Sequence, residues 1–505
     1  MVFSSLEFIY LFMPPVLAVF FLLRRLNWEK GIIWWLIISS LVFYGWWSPL
    51  HLILLLLSVG INFGLHKVIQ NTGSKLTLIL GTIGNLATLG YFKYADFFIG
   101  NFNLFTEAQA PLLHVVLPLA ISFFTFQQIS FLYDTYAGNV VKCDFARYCL
   151  FVVFFPQLIA GPIVLQKHTI PQFKMSVFRH QAFLNFSVGI TLFVIGLFKK
   201  IVLADGIAPI ANNVFGLADA GEAVPMEAAW MGAIAYSFQI YFDFSGYCDM
   251  ALGIARMFGI RLPLNFNSPY KSLSIIDFWR RWHITLSTFL RDYLYFPLGG
   301  NRKGVFRRYL NLTATMILGG LWHGASWNFV IWGALHGLYL IFNHAWRGLG
   351  LPQMGHTYLS PSVYRLLARA VTLLAVIVAW VFFRAESFSG ASNVIAGMFG
   401  LTSYSSASIW SAILQQSGVF WVQAVLLAVV VLVYPNSVEI VRKYRPALEF
   451  KALLKDRAWQ SKSWWRLPAW RPSPGWSAVL FVGGLVSIIQ IYRLDELTEF
   501  IYFNF

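Results

Sequence analysis

The feature that most constrains this chain is a series of long apolar runs separated by short polar loops. A helix needs ~20 mostly apolar residues to cross a hydrocarbon core ~30 Å thick. The chain is 58% hydrophobic and 11% charged, which excludes a soluble enzyme with one anchor. The runs predict an all-α polytopic membrane protein with a single membrane-embedded domain over residues 1–505, containing about 10–11 spans plus re-entrant and interfacial helices. The predicted spans lie at about 6–23, 31–48, 50–66, 76–94, 111–133, 183–203, 229–244, 363–383, 420–435 and 476–492, with the remainder at the hairpin 311–346.

The net charge of +16 is concentrated in two segments of the chain. Residues 251–309 contain ten Lys and Arg against two Asp, and residues 440–472 contain nine Lys and Arg. Basic residues favour the cytoplasmic side of a membrane, so both segments are predicted to face the cytoplasm and both termini the periplasm. The positive charge is therefore explained by the membrane orientation and does not indicate a nucleic-acid partner. The tryptophan-rich stretch 459–470 is expected to rest on lipid headgroups.

One apolar segment is predicted not to cross the membrane. Residues 155–164, FPQLIAGPIV, are interrupted by Pro156, Gly161 and Pro162, and basic residues flank the segment on both sides. A re-entrant segment fits better than a full span. Irregular backbone at that depth requires burial in protein or a cavity to line.

Residues 275–296 alternate aromatic and basic side chains, which predicts an interfacial amphipathic helix. Arg280, Arg281 and Arg291 would face phosphate groups, either of lipid headgroups or of a coenzyme A donor at its cytoplasmic entrance. The aromatic residues on the other side would sit against acyl chains or the protein core. They are Phe278, Trp282 and Phe289.

A histidine lies in the middle of the apolar stretch Asn311–Trp346. His323 is roughly 20 Å of helix beyond the basic pair Arg307–Arg308, which places it inside the membrane. An ionisable group at that depth marks a site by default. The plainer alternative is a histidine that only hydrogen-bonds a neighbouring helix. His336 lies on the same stretch, and spacing alone does not choose between the two histidines.

These features suit a group-transfer site in the membrane. Burial disfavours a charged imidazole, so a buried histidine can act as a base toward an acceptor hydroxyl that attacks a thioester. Proton-coupled transport of an acyl donor or a lipid-linked sugar, and a structural scaffold, are the alternatives. Asp243 and Asp249 lie in an aromatic stretch, where tying helices together is at least as good an interpretation as catalysis. No metal site or bound cofactor is expected.

Several motifs resemble one family, the membrane-bound O-acyltransferases, in particular the bacterial branch of the alginate O-acetylation membrane protein. The resemblance covers nearly the whole chain, and its two most specific blocks are 265–302 and 318–337. Cys248 is a departure, because relatives more often have a small hydroxyl residue there. The other similar motifs are MVFSS (1–5), GYFKYADF (90–97), LPLAISFFTFQQISFLYDTY (117–136), FPQLIAGPIV (155–164), YFDFSGYCDMA (241–251) and FIYFNF (500–505).

The resemblance implies an O-acetyltransferase of the bacterial inner membrane, with acetyl-CoA as donor and an exported polysaccharide such as alginate as destination. It implies a ring of tilted helices around a central tunnel, and periplasmic acetyltransferase or acetyl-relay proteins as partners. The family's hallmark histidine falls on His323 and its second site on His283, as the proton-transferring residue and as a residue that orients the thioester or stabilises its oxyanion. Trp322, Asp243, Asp249 and His336 would line the tunnel or support it.

Overall fold

The computed structural model describes residues 1–505 except 108, 352–357, 403–406, 449, 451–468, 494–497 and 505. Within these residues the chain forms helices and no β-strand, as expected of an all-α membrane protein. The helices are α1 Glu7–Arg25, α2 Glu29–Gly45, α3 Pro49–Thr72, α4 Lys75–Leu89, α5 Ala95–Thr106, α6 Ile121–Tyr136, α7 Phe145–Val153, α8 Phe155–Leu158, α9 Gln166–Thr169, α10 Met175–Arg179, α11 Ala182–Phe198, α12 Asp205–Asp219, α13 Met226–Met257, α14 Ile275–Trp279, α15 Ile284–Leu290, α16 Gly304–His323, α17 Trp327–Gly348, α18 Pro361–Arg384, α19 Phe388–Met398, α20 Ala407–Leu414, α21 Ser417–Leu432, α22 Ser437–Ile440 and α23 Pro474–Arg493.

Five helical stretches in the described part of the chain are long and apolar enough to cross a membrane. One of them is continuous over Ala182–Asp219, because a π-helical turn at Lys199–Ala204 joins α11 to α12. The others are α1, α3, α18 and α23. The shorter α21 is also apolar. The predicted total of spans and the single-domain boundary remain predictions.

The predicted span at 111–133 is wrong at its start. The helix in this region, α6, begins at Ile121, and the residues before it are not helical. Pro111 and Pro118 lie in that stretch, and Ala120 has a φ of 63°. A proline restricts the residue before it to extended backbone, and a non-glycine residue at positive φ is incompatible with a continuing helix. The span therefore loses its first turns.

Helix α13 is long and is buried along most of its length. The predicted span at 229–244 is too short, because the helix has 32 residues and continues to Met257. It packs against α11 through two pairs of glycines. A Cβ atom on Gly196 would lie 2.5 Å from the Gly246 carbonyl oxygen, and one on Gly189 would lie 2.6 Å from that of Gly253. Small residues thus let the two backbones approach closely.

The segment predicted to be re-entrant is broken inside the protein. Helix α7 ends at Val153, α8 covers four residues, and the following stretch around Ile163 is not helical. Its backbone is buried and bonded to other elements. The Phe155 N–H donates to Ser40 Oγ (3.1 Å), and the Ile163 N–H donates to Thr285 Oγ1 (3.0 Å). This satisfies the condition for irregular backbone within a membrane.

The segment predicted as one amphipathic helix, 275–296, is two short helices, α14 and α15. They are interrupted at His283, which has a φ of 42°. The predicted apolar side chains Phe278, Trp282 and Phe289 are buried in the protein core. The bend follows from tertiary bonds: the Ile284 N–H donates to the Asn265 carbonyl (2.9 Å), outside the helix.

Helices α16 and α17 form the hairpin expected around His323. The break between them falls at Gly324, whose backbone is extended, and Ser326 caps α17 by accepting from the Asn328 N–H (3.2 Å). A Cβ atom on Gly333 would collide with the Met316 carbonyl oxygen, so glycine allows the two helices to pack tightly. The stretch 459–470 lies outside the described residues except for its last two.

Candidate active site

Two histidines lie side by side in the interior. His323 ends α16, and His283 stands at the bend before α15. Their ring centroids are 6.4 Å apart, and the side chains are 2% and 0% exposed respectively. The sequence separates them by forty positions, and the fold brings them together.

Asn265 fixes the orientation of His283. Its Oδ1 atom lies 3.1 Å from His283 Nδ1 and accepts from the Thr285 N–H (3.2 Å) and the Thr285 hydroxyl (2.9 Å). A backbone N–H only donates, so the amide oxygen must face this group. His283 therefore donates from Nδ1, and in the neutral ring Nε2 has the lone pair. Nε2 is buried, with no partner among the described residues.

Lys93 and Tyr94 support the end of helix α16. Lys93 Nζ donates to the Trp322 carbonyl (2.5 Å) and the His323 carbonyl (3.3 Å), and Tyr94 Oη donates to the Leu321 carbonyl (2.6 Å). The last carbonyls of a helix have no partners within it, and a cation there is favoured by the helix dipole. These contacts hold the His323 backbone in place at the position where the helix stops.

Aromatic side chains enclose the two imidazoles. The Trp322 ring centroid is 5.0 Å from that of His323 and 6.0 Å from that of His283. On the other side of His323, Trp332 lies at 5.2 Å and Phe383 at 5.0 Å. Apolar walls of this kind exclude water from a reacting group.

Tyr502 brings a hydroxyl-bearing ring to both histidines. Its centroid is 5.6 Å from that of His323 and 5.9 Å from that of His283, and it packs on Phe244 at 3.8 Å. The ring is buried at 4% exposure, within the 3₁₀ turn Ile501–Asn504. The described end of the chain is thus part of the site.

A buried ionic cluster anchors this segment. Lys200 Nζ pairs with Asp205 Oδ1 (2.8 Å) and Asp243 Oδ1 (2.7 Å), and it donates to Thr498 Oγ1 (3.0 Å). Asp243 Oδ2 in turn accepts from the Ile501 N–H (3.1 Å). The cluster therefore links the turn Lys199–Ala204, α12 and α13 to the segment that contains Tyr502.

The other predicted residues fall at some distance from the imidazole pair. Asp249 pairs with Lys199 (2.8 Å), between α13 and α11, which supports the structural interpretation. His336 Nδ1 accepts from the Trp279 indole N–H (3.2 Å), a bond between α17 and α14. Trp322 packs against both histidines, as described above. Their functional roles remain predictions.

The three predicted donor-site arginines differ in exposure. Arg280 is exposed. Arg281 is 7% exposed, pairs with Asp277 (2.8 Å) and donates to the Asn267 carbonyl (3.2 Å). Arg291 is exposed and pairs with Asp292 (2.7 Å), and the hydrogen bond to this carboxylate raises the pKa of the Arg291 guanidinium. Only Arg280 and Arg291 present their charge at the surface.

Three residues near the histidines were not predicted from the sequence: Asn265, Lys93 and Tyr502. Lys93 could have been identified from the sequence, because a lysine inside the apolar run 76–94 is unusual in a membrane. Asn265 and Tyr502 are ordinary residue types in polar or aromatic stretches, and only the fold places them near the histidines. In the part of the chain that the structure describes, no group of three His, Cys, Asp or Glu is arranged to hold a metal ion.

Comparison with known proteins gives a consistent result. The model of the membrane-bound O-acyltransferase family matches residues 134–365. The chain is 43% identical over 441 residues to the peptidoglycan O-acetyltransferase of Helicobacter pylori, covering 80% of this chain and 81% of that protein. It is 41% identical over 412 residues to the probable alginate O-acetylase AlgI of Pseudomonas aeruginosa, covering 79% and 75%. The teichoic acid D-alanyltransferase of Streptococcus thermophilus is 27% identical over 237 residues, 45% of this chain and 57% of that protein.

The chain therefore belongs to the membrane-bound O-acyltransferase family, and it is an O-acyltransferase. The matched region contains both His283 and His323. The relatives similar over about four fifths of the chain are O-acetylating proteins, one named for peptidoglycan and one for alginate. The resemblance identified from the motifs is confirmed.

Proposed function

We propose that this protein transfers acetyl groups from acetyl-CoA, on the cytoplasmic side of the bacterial inner membrane, for O-acetylation of an exported polysaccharide such as alginate. The observation that supports this most is the pair of buried imidazoles 6.4 Å apart, one of which is held in a defined tautomer. The names of the relatives support acetyl as the transferred group. Peptidoglycan is the other polymer that those names suggest.

In this proposal His323 takes the proton of the acceptor hydroxyl. The oxygen attacks the thioester carbonyl carbon, the C–S bond breaks, and the imidazolium returns the proton to the thiolate that leaves. General base catalysis of this kind is worth roughly 10²–10⁴-fold in rate. His283 orients the thioester beside His323 and does not accept the proton of the nucleophile, since a hydroxyl has a single hydrogen. His283 stabilises an oxyanion only when it is protonated, because Nε2 has no hydrogen in the neutral tautomer.

Tyr502 is the acceptor that the geometry favours for the first transfer. Its ring contacts both histidines, and the Lys200–Asp243 cluster anchors the adjacent backbone. Attack by Tyr502 Oη on the thioester would give an acetyl-tyrosyl ester and free thiol, with the proton passing from Oη through His323 to sulfur. A phenyl ester remains reactive, so a hydroxyl of a partner protein or polysaccharide can take the acetyl group in a second, equivalent exchange.

The membrane orientation follows from the charge distribution. We propose that 251–309 and 440–472 face the cytoplasm and that both termini face the periplasm. Arg280 and Arg291, with the basic loop 300–308, then stand at the donor entrance, where they meet the phosphates of coenzyme A. Periplasmic acetyltransferase or acetyl-relay proteins would receive the acetyl group. Labelling of a cysteine placed at Lys303 from outside intact cells would contradict this orientation.

The test uses purified protein in proteoliposomes with acetyl-CoA labelled in the acetyl group. We expect free thiol to form and the label to appear on a peptide that contains Tyr502. His323→Ala should abolish both results, and Tyr502→Phe should abolish the labelled peptide. His336→Ala, another buried histidine, is the matched control and should retain both. Wild-type thiol release at the level of His323→Ala would contradict the acyltransfer mechanism.

Two further outcomes separate the alternatives. Thiol release with label on lipid or polymer but not on Tyr502 would support acyltransferase activity and would exclude Tyr502 as the acceptor. Movement of intact acetyl-CoA or a lipid-linked sugar across the membrane without thiol release would favour the transporter alternative, with the histidines as proton relays. The names of the relatives, all transferases or acetylases, weigh against that alternative.

A further inference from the structure

A cavity of about 430 Å³ lies outside the histidine site, between α11 and α13 on one side and α21 and α23 on the other. This is the size of a typical small-molecule site. Apolar side chains form most of its wall. They include Val194, Phe198, Leu203, Val431, Val479 and Leu480.

The cavity opens sideways, toward the bilayer. Val479 on α23 and Val430 on α21 both line it, and they are 61% and 40% exposed on the surface of two apolar helices. An exposed apolar side chain on a membrane-spanning helix meets hydrocarbon and not water. An apolar cavity does not hold water stably either. Acyl chains are therefore the molecules that can enter it.

The cavity is elongated and has one polar end. Along α11 its lining runs from Val194 to Leu203, which is roughly 13 Å at ~1.5 Å per residue. The polar end is formed by Ser268, Asn436 and Ser437. Asn436 Nδ2 donates to Ser268 Oγ (3.0 Å), and Lys199 Nζ donates to Ser437 Oγ (3.1 Å).

Basic residues surround the polar end. Lys271 Nζ donates to the carbonyl of Tyr434, which lines the cavity, with an N–O distance of 2.6 Å. Arg442 follows the lining residue Ile440 by two positions. The two basic segments of the chain meet nearby, because the Leu448 N–H donates to the Leu262 carbonyl (2.9 Å). This side of the protein, defined by 262–271 and 434–448, is called the basic side below.

We propose that the cavity binds one phospholipid from the leaflet on the basic side. One acyl chain fills the apolar part, and the phosphate lies at the polar end beside Lys271. The arrangement is complementary in both chemistry and charge, since an anionic headgroup gains about 1 kcal/mol per nearby Lys or Arg. The lipid has no part in the acyl transfer proposed above, and its binding is independent of that mechanism.

The cavity lies next to a layer of residues behind His283. Lys199, Tyr241 and Ser437 line the cavity and also line a smaller pocket, whose other lining residues include Cys248 and Asn265. Asn265 holds the His283 tautomer. A bound lipid thus packs against the layer behind His283.

Gly483 allows a sharp test. It lines the cavity, and a Cβ atom built on it meets nothing within 4 Å, so a larger side chain can enter the cavity without a backbone collision. Gly483→Trp should fill the space that the acyl chain occupies. Val482→Trp is the matched control, because Val482 is 58% exposed on the same helix and does not line the cavity.

The full-length protein is reconstituted in nanodiscs containing equal amounts of phosphatidylethanolamine and phosphatidylglycerol, released, and measured by native mass spectrometry. The wild type and Val482→Trp should retain one phospholipid. Gly483→Trp should retain it roughly tenfold less often. Lys271→Gln should keep a lipid but lose the preference for phosphatidylglycerol, whereas Lys75→Gln, at an exposed site on α4, should not.

Equal lipid retention by Gly483→Trp and the wild type would overturn the proposal, as would a wild type without a bound phospholipid. A loss of lipid by Gly483→Trp that Val482→Trp shares would show a general effect of tryptophan on α23, and this too would overturn it. The measurement of headgroup preference in Lys271→Gln does not depend on the folding of the Gly483→Trp variant.

Discussion

The tautomer of His283 can be tested by removing the group that sets it. Asn265 Oδ1 accepts from His283 Nδ1, the Thr285 N–H and the Thr285 hydroxyl. Asn265→Leu has a similar shape but no acceptor. The hydrogen bond to His283 is worth ~0.5–1.5 kcal/mol, so its loss shifts the tautomer ratio by about 2- to 13-fold. The Thr285 N–H also loses its acceptor, which costs ~1–3 kcal/mol of stability.

Stopped assays of thiol release in proteoliposomes would give kcat and KM for acetyl-CoA. We expect kcat of Asn265→Leu to fall by about 2- to 13-fold, in proportion to the shift of the tautomer ratio. KM should stay close to the wild-type value, since the change acts on orientation and not on donor contacts. Asn265→Asp retains an acceptor for Nδ1 and should preserve more of kcat than Asn265→Leu. The control is Asn267→Leu, a buried residue whose side chain bonds Asn436 and no histidine.

The control variant should lose stability without losing kcat. A wild-type kcat for Asn265→Leu would refute the reasoning, because it would mean that the orientation of the His283 ring set by Asn265 is not needed. An equal loss of kcat in Asn267→Leu would refute it as well, since the effect would then belong to the local fold.

Three further changes test the remaining assignments. His283→Ala should lower kcat by roughly 10²–10³-fold but leave measurable turnover, because orientation and charge stabilisation are graded contributions; complete loss in a folded protein would give His283 the role of the essential base. His336→Ala removes the acceptor of the Trp279 indole N–H. We expect this to lower the melting temperature, at a cost of ~1–3 kcal/mol of stability, and to leave kcat unchanged. A selective loss of kcat would place His336 in the mechanism. Arg280→Ala should raise KM for acetyl-CoA, most strongly at low ionic strength, and an unchanged KM would leave only a headgroup role. Arg281→Ala should act through stability instead, since breaking a buried ion pair costs ~3–5 kcal/mol.

The sequence predicted the parts of the fold that depend on local periodicity and on the membrane as solvent. The hairpin around His323 and the long helices Pro49–Thr72, Pro361–Arg384 and Pro474–Arg493 fall where apolar runs predicted them. The predicted start of α6 was wrong because Pro111 and Pro118 prevent a helix in a stretch that is otherwise apolar. The predicted length of α13 was too short because Asp243 and Asp249 were read as the end of a span. In the structure each carboxylate pairs with a lysine of the turn Lys199–Ala204, so the helix can continue in the interior.

The candidate site was only partly predictable. The apolar stretch predicted a site at His323 or His336, and the resemblance to a family chose His323 and added His283. Asn265 could not be found, because its importance lies in a hydrogen bond to a residue on the far side of a bend. The bend itself was missed since an amphipathic pattern continues through it. Cys248 was noted as a departure, and its sulfur accepts a hydrogen bond from Asn265 Nδ2 (3.3 Å).

The glycine contacts between α11 and α13 have a consequence for assembly of the protein in the membrane. Gly189 and Gly196 are seven residues apart, as are Gly246 and Gly253, so the antiparallel pair has two close contacts at matching intervals. In this alignment Lys200 reaches Asp243. A slip of one turn would replace both glycine contacts with bulkier residues and would separate Lys200 from Asp243. The pair therefore has one favourable alignment, which α11 and α13 can find before the surrounding helices have packed.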